Sequence, residues 1–269
     1  MSDSRPIGIF DSGVGGLTVA RAVLDRLPNE SLLYVGDSAH FPYGPKPVEE
    51  IRGYALDIAA YLVERDVKLL VVACNSIEVS AIGDIAAAHG VPVIGVINPG
   101  ARAAARATRS GVVGVIGTVA TIGTGAYQRA IGSAVELHVA ACPVFVEHVE
   151  RGDTTSDELR MAAREYLAPL REGGIDTLIL GCTHYPLLSG LLHSELGPDV
   201  VLVSSAEETA KDVEAELRRS HHLREDPYPP VCAFGTTGDA ERFRDLAELF
   251  LGRGIGDVEP VHIEVGARR

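Results

Sequence analysis

One apolar pattern occurs twice in this chain, and the repetition limits the folds open to it. "LLVVACNS" (69–76) and "TLILGCTH" (177–184) each run a short aliphatic stretch into a small residue, a cysteine and two hydrogen-bonding residues. Cys182 follows Cys74 by 108 positions. "IGIFDS" (7–12) and "VGVIGT" (113–118) lie 106 apart, and "VPVIGVIN" (91–98) and "PDVVLVSS" (198–205) lie 107 apart. Three matches in the same order at nearly one offset indicate two units of similar plan, each about 100 residues long.

The repeated stretches read as buried strands. The first set is Ile7–Phe10, Leu32–Val35, Leu69–Ala73 and Val93–Ile97; the second is Val112–Ile116, Leu137–Ala140, Thr177–Leu180 and Val200–Val203. Amphipathic segments such as 47–64 and 156–172 separate them. Continuous apolar strands alternating with helices are the pattern of parallel sheets covered on both faces. The expected fold is α/β: two similar domains, each a mostly parallel sheet flanked by helices. After residue 205 the pattern changes to a helix (205–219), a proline-rich loop and the strand "VCAFGT". This tail is too short for a third domain and is expected to extend the first. The expected domains are 1–97 with 208–269, and 98–207.

Composition excludes several functions. Hydrophobic residues form 46% of the chain, enough for a packed core. A net charge of −13 disfavours nucleic-acid and anionic-membrane partners, which require basic surfaces. The start, "MSDSRPIGIFDSG", has no apolar signal core. The uncharged stretches 85–101 and 111–128 are broken by Gly, Pro, Asn or Thr, unlike a membrane span. A cytoplasmic protein is expected. Of the four cysteines, none forms a CxxC pair or a zinc-spaced cluster with His, so no metal is expected.

Ligands of open parallel sheets bind outside the carboxyl ends of strands. Cys74 and Cys182 fall there, and each by itself could be a core thiol, a nucleophile or a proton carrier. Two thiols facing one cleft across a pseudo-twofold axis would suit a two-base reaction: one takes a proton from a carbon and the other returns one to the opposite face. Both cysteines precede expected helix starts, where thiolates are favoured. Cys142 and Cys232 lack this context and read as core or surface thiols. "DSGVGGLTV" lacks the GxGxxG spacing of a dinucleotide loop and reads as a tight turn, with glycines allowing φ > 0 or close packing. His138, His148, His221 and His222 read as surface residues.

"IGIFDSGVGGLTV", "YVGDSAHFPYG", "VVACNS", "VIGTVATI" and "LILGCTHYPLL" together resemble signatures of the aspartate/glutamate racemase family, over nearly the whole chain. The resemblance implies cofactor-independent interconversion of L- and D-glutamate, supplying D-glutamate for peptidoglycan. It implies an active site between two α/β domains, and a homodimer. Carried over by motif, it makes Cys74 and Cys182 the catalytic pair, assisted by Asp11, His184 and Glu150. Asp11, Ser12, Tyr43, Gly44, Asn75, Ser76, Thr183 and His184 match substrate-binding positions, joined by Thr118 and Thr121. Aspartate racemisation by the same chemistry is the nearest alternative. Some family members also bind DNA gyrase, which adds a regulatory alternative.

The chain departs from the family's usual residues at Ser76, where Thr is usual, and at Ser38 and His40, where Thr and Arg are common. Glu78 stands in a run that is usually small residues, and reads as a solvated helix residue.

Overall fold

The computed structural model describes residues 2–133 and 135–263. Within it the chain forms two compact units, residues 1–96 with 206–269, and residues 97–205.

The first unit contains β1 (Ile7–Asp11), β2 (Leu32–Gly36), β3 (Leu69–Val72) and β4 (Val93–Ile94). The second contains β5 (Val112–Gly117), β6 (Glu136–Ala141), β7 (Thr177–Gly181) and β8 (Val201–Val203). The late segment returns two strands to the first unit, β9 (Cys232–Thr236) and β10 (Val258–Pro260). The sheet orders are β10-β9-β2-β1-β3-β4 and β6-β5-β7-β8. Every pairing is parallel. The sequence repeat is therefore a repeat of topology, because β2-β1-β3-β4 and β6-β5-β7-β8 are the same order.

Parallel strands buried on both faces cannot alternate polar and apolar residues. β1, β3 and β7 accordingly have no exposed or half-buried residue. Helices cover the sheets; Val48–Val63 and Asp157–Glu172 fill the amphipathic segments at 47–64 and 156–172. Among the described residues, no helix is long and apolar enough to cross a membrane.

Two differences from the sequence reading bear on the site. β4 ends at Ile94 where the apolar run predicts a strand to Ile97, and Ile97 instead opens a helix, Ile97–Ala107. Pro99 is tolerated there because first-turn N–H groups have no intrahelical partner. β10 has no counterpart in the sequence reading.

Candidate active site

In the first unit the chain passes from β1 to β2 on one side, then crosses to β3 on the other. This reversal opens a crevice outside the carboxyl ends of β1 and β3. The second unit reverses in the same way between β5 and β7. The sequence-predicted site residues divide between these two switch points.

At the first switch point, Asp11 ends β1 and is fully buried. Its Oδ2 accepts the Gly16 N–H at 2.8 Å. Its buried Oδ1 has no hydrogen-bond partner among the described residues. A lone buried carboxylate oxygen is costly unless something binds it, so this atom points to a ligand or a proton. Gly16 makes the arrangement possible: a Cβ there would lie 2.6 Å from Asp11 Cβ and 2.9 Å from Ala73 Cβ. Gly16 has φ −61°, so this position uses the glycine for close approach and not for a left-handed backbone.

Cys74 follows β3 and occupies the cap position of the helix Asn75–Ala88, with φ −90° and ψ 124°. Its side chain makes no capping bond to that helix. Sγ lies 3.6 Å from Ser12 Oγ, and the thiol is nearly buried at 7% exposure. Asn75 and Ser76, both buried, form the first turn.

Tyr43 is buried and donates its hydroxyl to Asp37 Oδ2. Burial, then the charge of Asp37, holds the phenol far above the ordinary tyrosine range, so it remains a donor. Asp37, itself buried, also meets His40 Nδ1 at 2.9 Å and accepts from Thr237 Oγ1 at 2.5 Å. Its backbone N–H donates to the Asp11 carbonyl at 3.0 Å. Asp37 thus fixes the segment carrying Tyr43 and half-buried Gly44 against the end of β1. The sequence reading missed it, although Asp37, His40 and Tyr43 recur at three-residue spacing within "GDSAHFPYG". His40, the departure from the family pattern, stacks on Tyr54 with ring centroids 4.0 Å apart.

At the second switch point, Thr118 follows β5 and caps the short helix Val119–Gly123, its Oγ1 accepting the Thr121 N–H at 3.1 Å. Cys182 follows β7 at 8% exposure, with Thr183 and His184 also buried behind it. His184 Nδ1 lies 3.9 Å from Cys182 Sγ, and Nε2 lies 3.1 Å from Glu150 Oε1. Burial alone would lower the histidine pKa, but the contacts with Cys182 and Glu150 outweigh it and push it up to about 10. Those contacts favour the protonated ring, which can donate from both nitrogens. Glu150 closes the helix Phe145–Glu150.

That helix is fastened by a residue the sequence reading places at the surface. His148 is buried at 4% exposure, its Nδ1 2.7 Å from Asp153 Oδ2. Asp153 also accepts from Ser156 Oγ at 2.6 Å and from the N–H groups of Thr155 and Ser156. The aliphatic neighbours Val146 and Val149 pull this short helix inward, and His148 goes in with a partner five residues along.

The remaining thiols differ. Cys142 is fully buried, and burial drives its pKa up, which makes it an inert core thiol. Cys232 is exposed at the start of β9. Glu78 is not solvated as its first-turn position predicts: it is 7% exposed and accepts the Val96 N–H. Among the described residues, no group of three or more His, Cys, Asp or Glu could hold a metal ion.

Residues 17–213 match the Asp/Glu/hydantoin racemase family. The chain is 52% identical to a glutamate racemase of Leifsonia xyli over 268 residues, 98% of each chain. Its fold is similar to that of glutamate racemase RacE1 from Bacillus anthracis, with TM-score 0.90, 42% identity, and 96% and 97% of the two chains covered. A glutamate racemase from Francisella tularensis, solved with D-glutamate, matches with TM-score 0.90 at 34% identity, over 97% and 98% of the chains.

Proposed function

The chain belongs to the Asp/Glu/hydantoin racemase family and carries glutamate racemase activity, an isomerase reaction, and we propose that it performs it with two cysteines acting on opposite faces of the substrate's α-carbon. The observation that carries this reading is the pair of nearly buried thiols just past equivalent strands, Cys182 beside buried His184 and Cys74 past the strand that adjoins buried Asp11.

One cysteine, as thiolate, takes the α-proton, and the electron pair of the C–H bond stays on carbon. The other cysteine, as thiol, gives its proton to the opposite face of that carbanion and becomes the thiolate. The net change is inversion at carbon and an exchange of protonation states between the sulfurs, so each direction of the reaction uses the same two groups. No cofactor enters. Asp11 assists Cys74, and the His184–Glu150 pair assists Cys182, general acid–base support of a kind that contributes about 10²- to 10⁴-fold. Ser12, Asn75, Ser76, Thr118, Thr121 and Thr183, with the Tyr43–Gly44 segment, bind the substrate's carboxylates and ammonium. The D-glutamate relative supports this choice of substrate. The D-glutamate produced supplies peptidoglycan synthesis.

Racemisation in deuterium oxide tests the reading. Deuterium should enter Cα of glutamate as it inverts, and Cys74→Ala and Cys182→Ala should each abolish inversion. Near-normal turnover in either variant would sink the two-thiol mechanism; label entering aspartate but not glutamate would sink the substrate.

A further inference from the structure

Glu78 is a carboxylate on the first turn of the Cys74 helix, and it turns inward. Its N–H donates to the Cys74 carbonyl at 2.9 Å, and its side-chain Oε2 accepts the N–H of Val96. The residue before Val96 is Gly95. A Cβ at Gly95 would lie 2.3 Å from the Glu78 carboxyl carbon and 2.4 and 2.5 Å from its two oxygens. The carboxylate therefore occupies the space a side chain at 95 would need.

The position of this contact in the chain gives it a consequence. β4 pairs with β3 through Leu70↔Val93 and Val71↔Ile94 only. Past Ile94 the chain leaves the ladder, and at Val96 the first unit ends. Ile97 opens the helix of the unit that carries Cys182. The N–H of Val96 is thus held by a side chain from the Cys74 turn and not by a strand. A buried carboxyl group is retained at a cost, and one of its contacts here is this backbone N–H.

We propose that Glu78 is a positioning residue, a clasp that fastens the chain at Gly95–Val96 to the turn bearing Cys74 and so holds that thiol in the place that proton transfer at Cα requires. The clasp rests on the two-thiol reading. It holds geometry and touches no substrate, so its loss changes the proton-transfer step more than substrate binding.

The test uses the full-length enzyme with Glu78→Ser, Glu78→Gln, Gly95→Ala and the double variant Glu78→Ser/Gly95→Ala. Small misplacements of reacting groups cost up to about 100-fold in rate, so Glu78→Ser and Gly95→Ala should each lower kcat by about 10- to 100-fold with KM nearly unchanged. Glu78→Gln keeps a carbonyl oxygen for Val96 and should restore most of kcat. In the double variant Gly95→Ala should add nothing, because the carboxylate it displaces is gone. Circular dichroism at the assay temperature confirms that each variant is folded. Wild-type kcat in Glu78→Ser, no rescue by Gln, or full addition of the two losses would each overturn the clasp. Cys74→Ala and Cys182→Ala run in the same assay separate the two ideas. If both abolish inversion while Glu78→Ser is normal, only the clasp fails; if either remains active, the two-thiol reading fails on its own evidence.

Discussion

At the ends of β3 and β7 the same motif sets a nearly buried cysteine at the head of a following turn, yet the groups behind the two thiols differ in kind. Cys74 has a hydroxyl, Ser12, 3.6 Å away, and the carboxylate of Asp11 on the adjoining strand. Cys182 has an imidazole, His184, whose pKa is pushed up and which leans on a second acid, Glu150. The thiols owe their positions to backbone: parallel strands of equal order end at equivalent points. The ionisable groups near them come from other segments, one from the end of β1 and one from the residue after Thr183 together with a short helix. A repeated scaffold therefore fixes where the sulfurs emerge and leaves each half free to surround its thiol with different ionisable groups.

Short of removing a thiol, the largest effects should come from removing those groups. His184→Asn should lower kcat by about 10²- to 10⁴-fold, and Asp11→Asn by about 10²-fold. L- and D-glutamate have equal free energy, so kcat/KM must stay equal in the two directions for any variant. The asymmetry can appear only in kcat and KM taken separately. His184→Asn and Asp11→Asn should bias kcat between the two directions in opposite senses; a bias of the same sense in both would erase the distinction between the halves. His184 also has a signature in stability. Its folded pKa of about 10 stands above the ordinary 6.5, so its contribution is complete below pH 6.5, declines above it and is gone once pH passes about 10. Thermal midpoints of wild type should fall through that window relative to those of His184→Asn. Parallel curves would mean that the ring is not charged in the native state.

A smaller effect should follow from the contact of Tyr43 with Asp37, which belongs to the Cys74 half. Tyr43→Phe leaves buried Asp37 short of one donor, a loss of about 1–3 kcal/mol. On the proposed reading Tyr43 anchors the segment that binds substrate and takes no part in proton transfer, so KM should rise while kcat holds. A fall in kcat at constant KM would move Tyr43 into the chemistry.

Strands and thiol positions were legible in the sequence because burial on both faces of a parallel sheet forces unbroken aliphatic runs, and the motif residues sit at their ends. β10 was not, since Val258–Pro260 is an edge strand with Glu259 and Pro260 exposed, and it carries no such run. Glu78 was misread because a first-turn acid is already explained by the helix dipole, and a partner that draws it inward, the Val96 N–H, lies 18 residues away. His148 was misread for a different reason. Its partner Asp153 is local, but a histidine in "FVEHVERGD" carries no mark of inward orientation until the helix is placed. Of the ionisable groups near the thiols, His184 and Asp11 were marked by their places beside a strand-end motif, whereas Glu150 came from the family resemblance alone.

His148 also allows the mildest test of the comparison, because it supports only the Cys182 half. Asp153 is held well below the ordinary carboxylate range, by the Ser156 hydroxyl first and then by His148. A depressed pKa contributes stability above the unfolded value, near 3.9 for aspartate, and that contribution is lost as pH falls through the folded value. Asp153→Asn should therefore be less stable than wild type at neutral pH, with the gap closing in acid below the ordinary aspartate range. Urea midpoints from pH 7 down to the acid limit of folding would measure it. Because His148 shares a six-residue helix with Glu150, kcat should also drop several-fold, by less than in His184→Asn. Introducing Asp153→Asn into His184→Asn should then cost nothing further in kcat. If it did, the helix Phe145–Glu150 would serve catalysis by some route other than His184, and the account of the second half would need another residue.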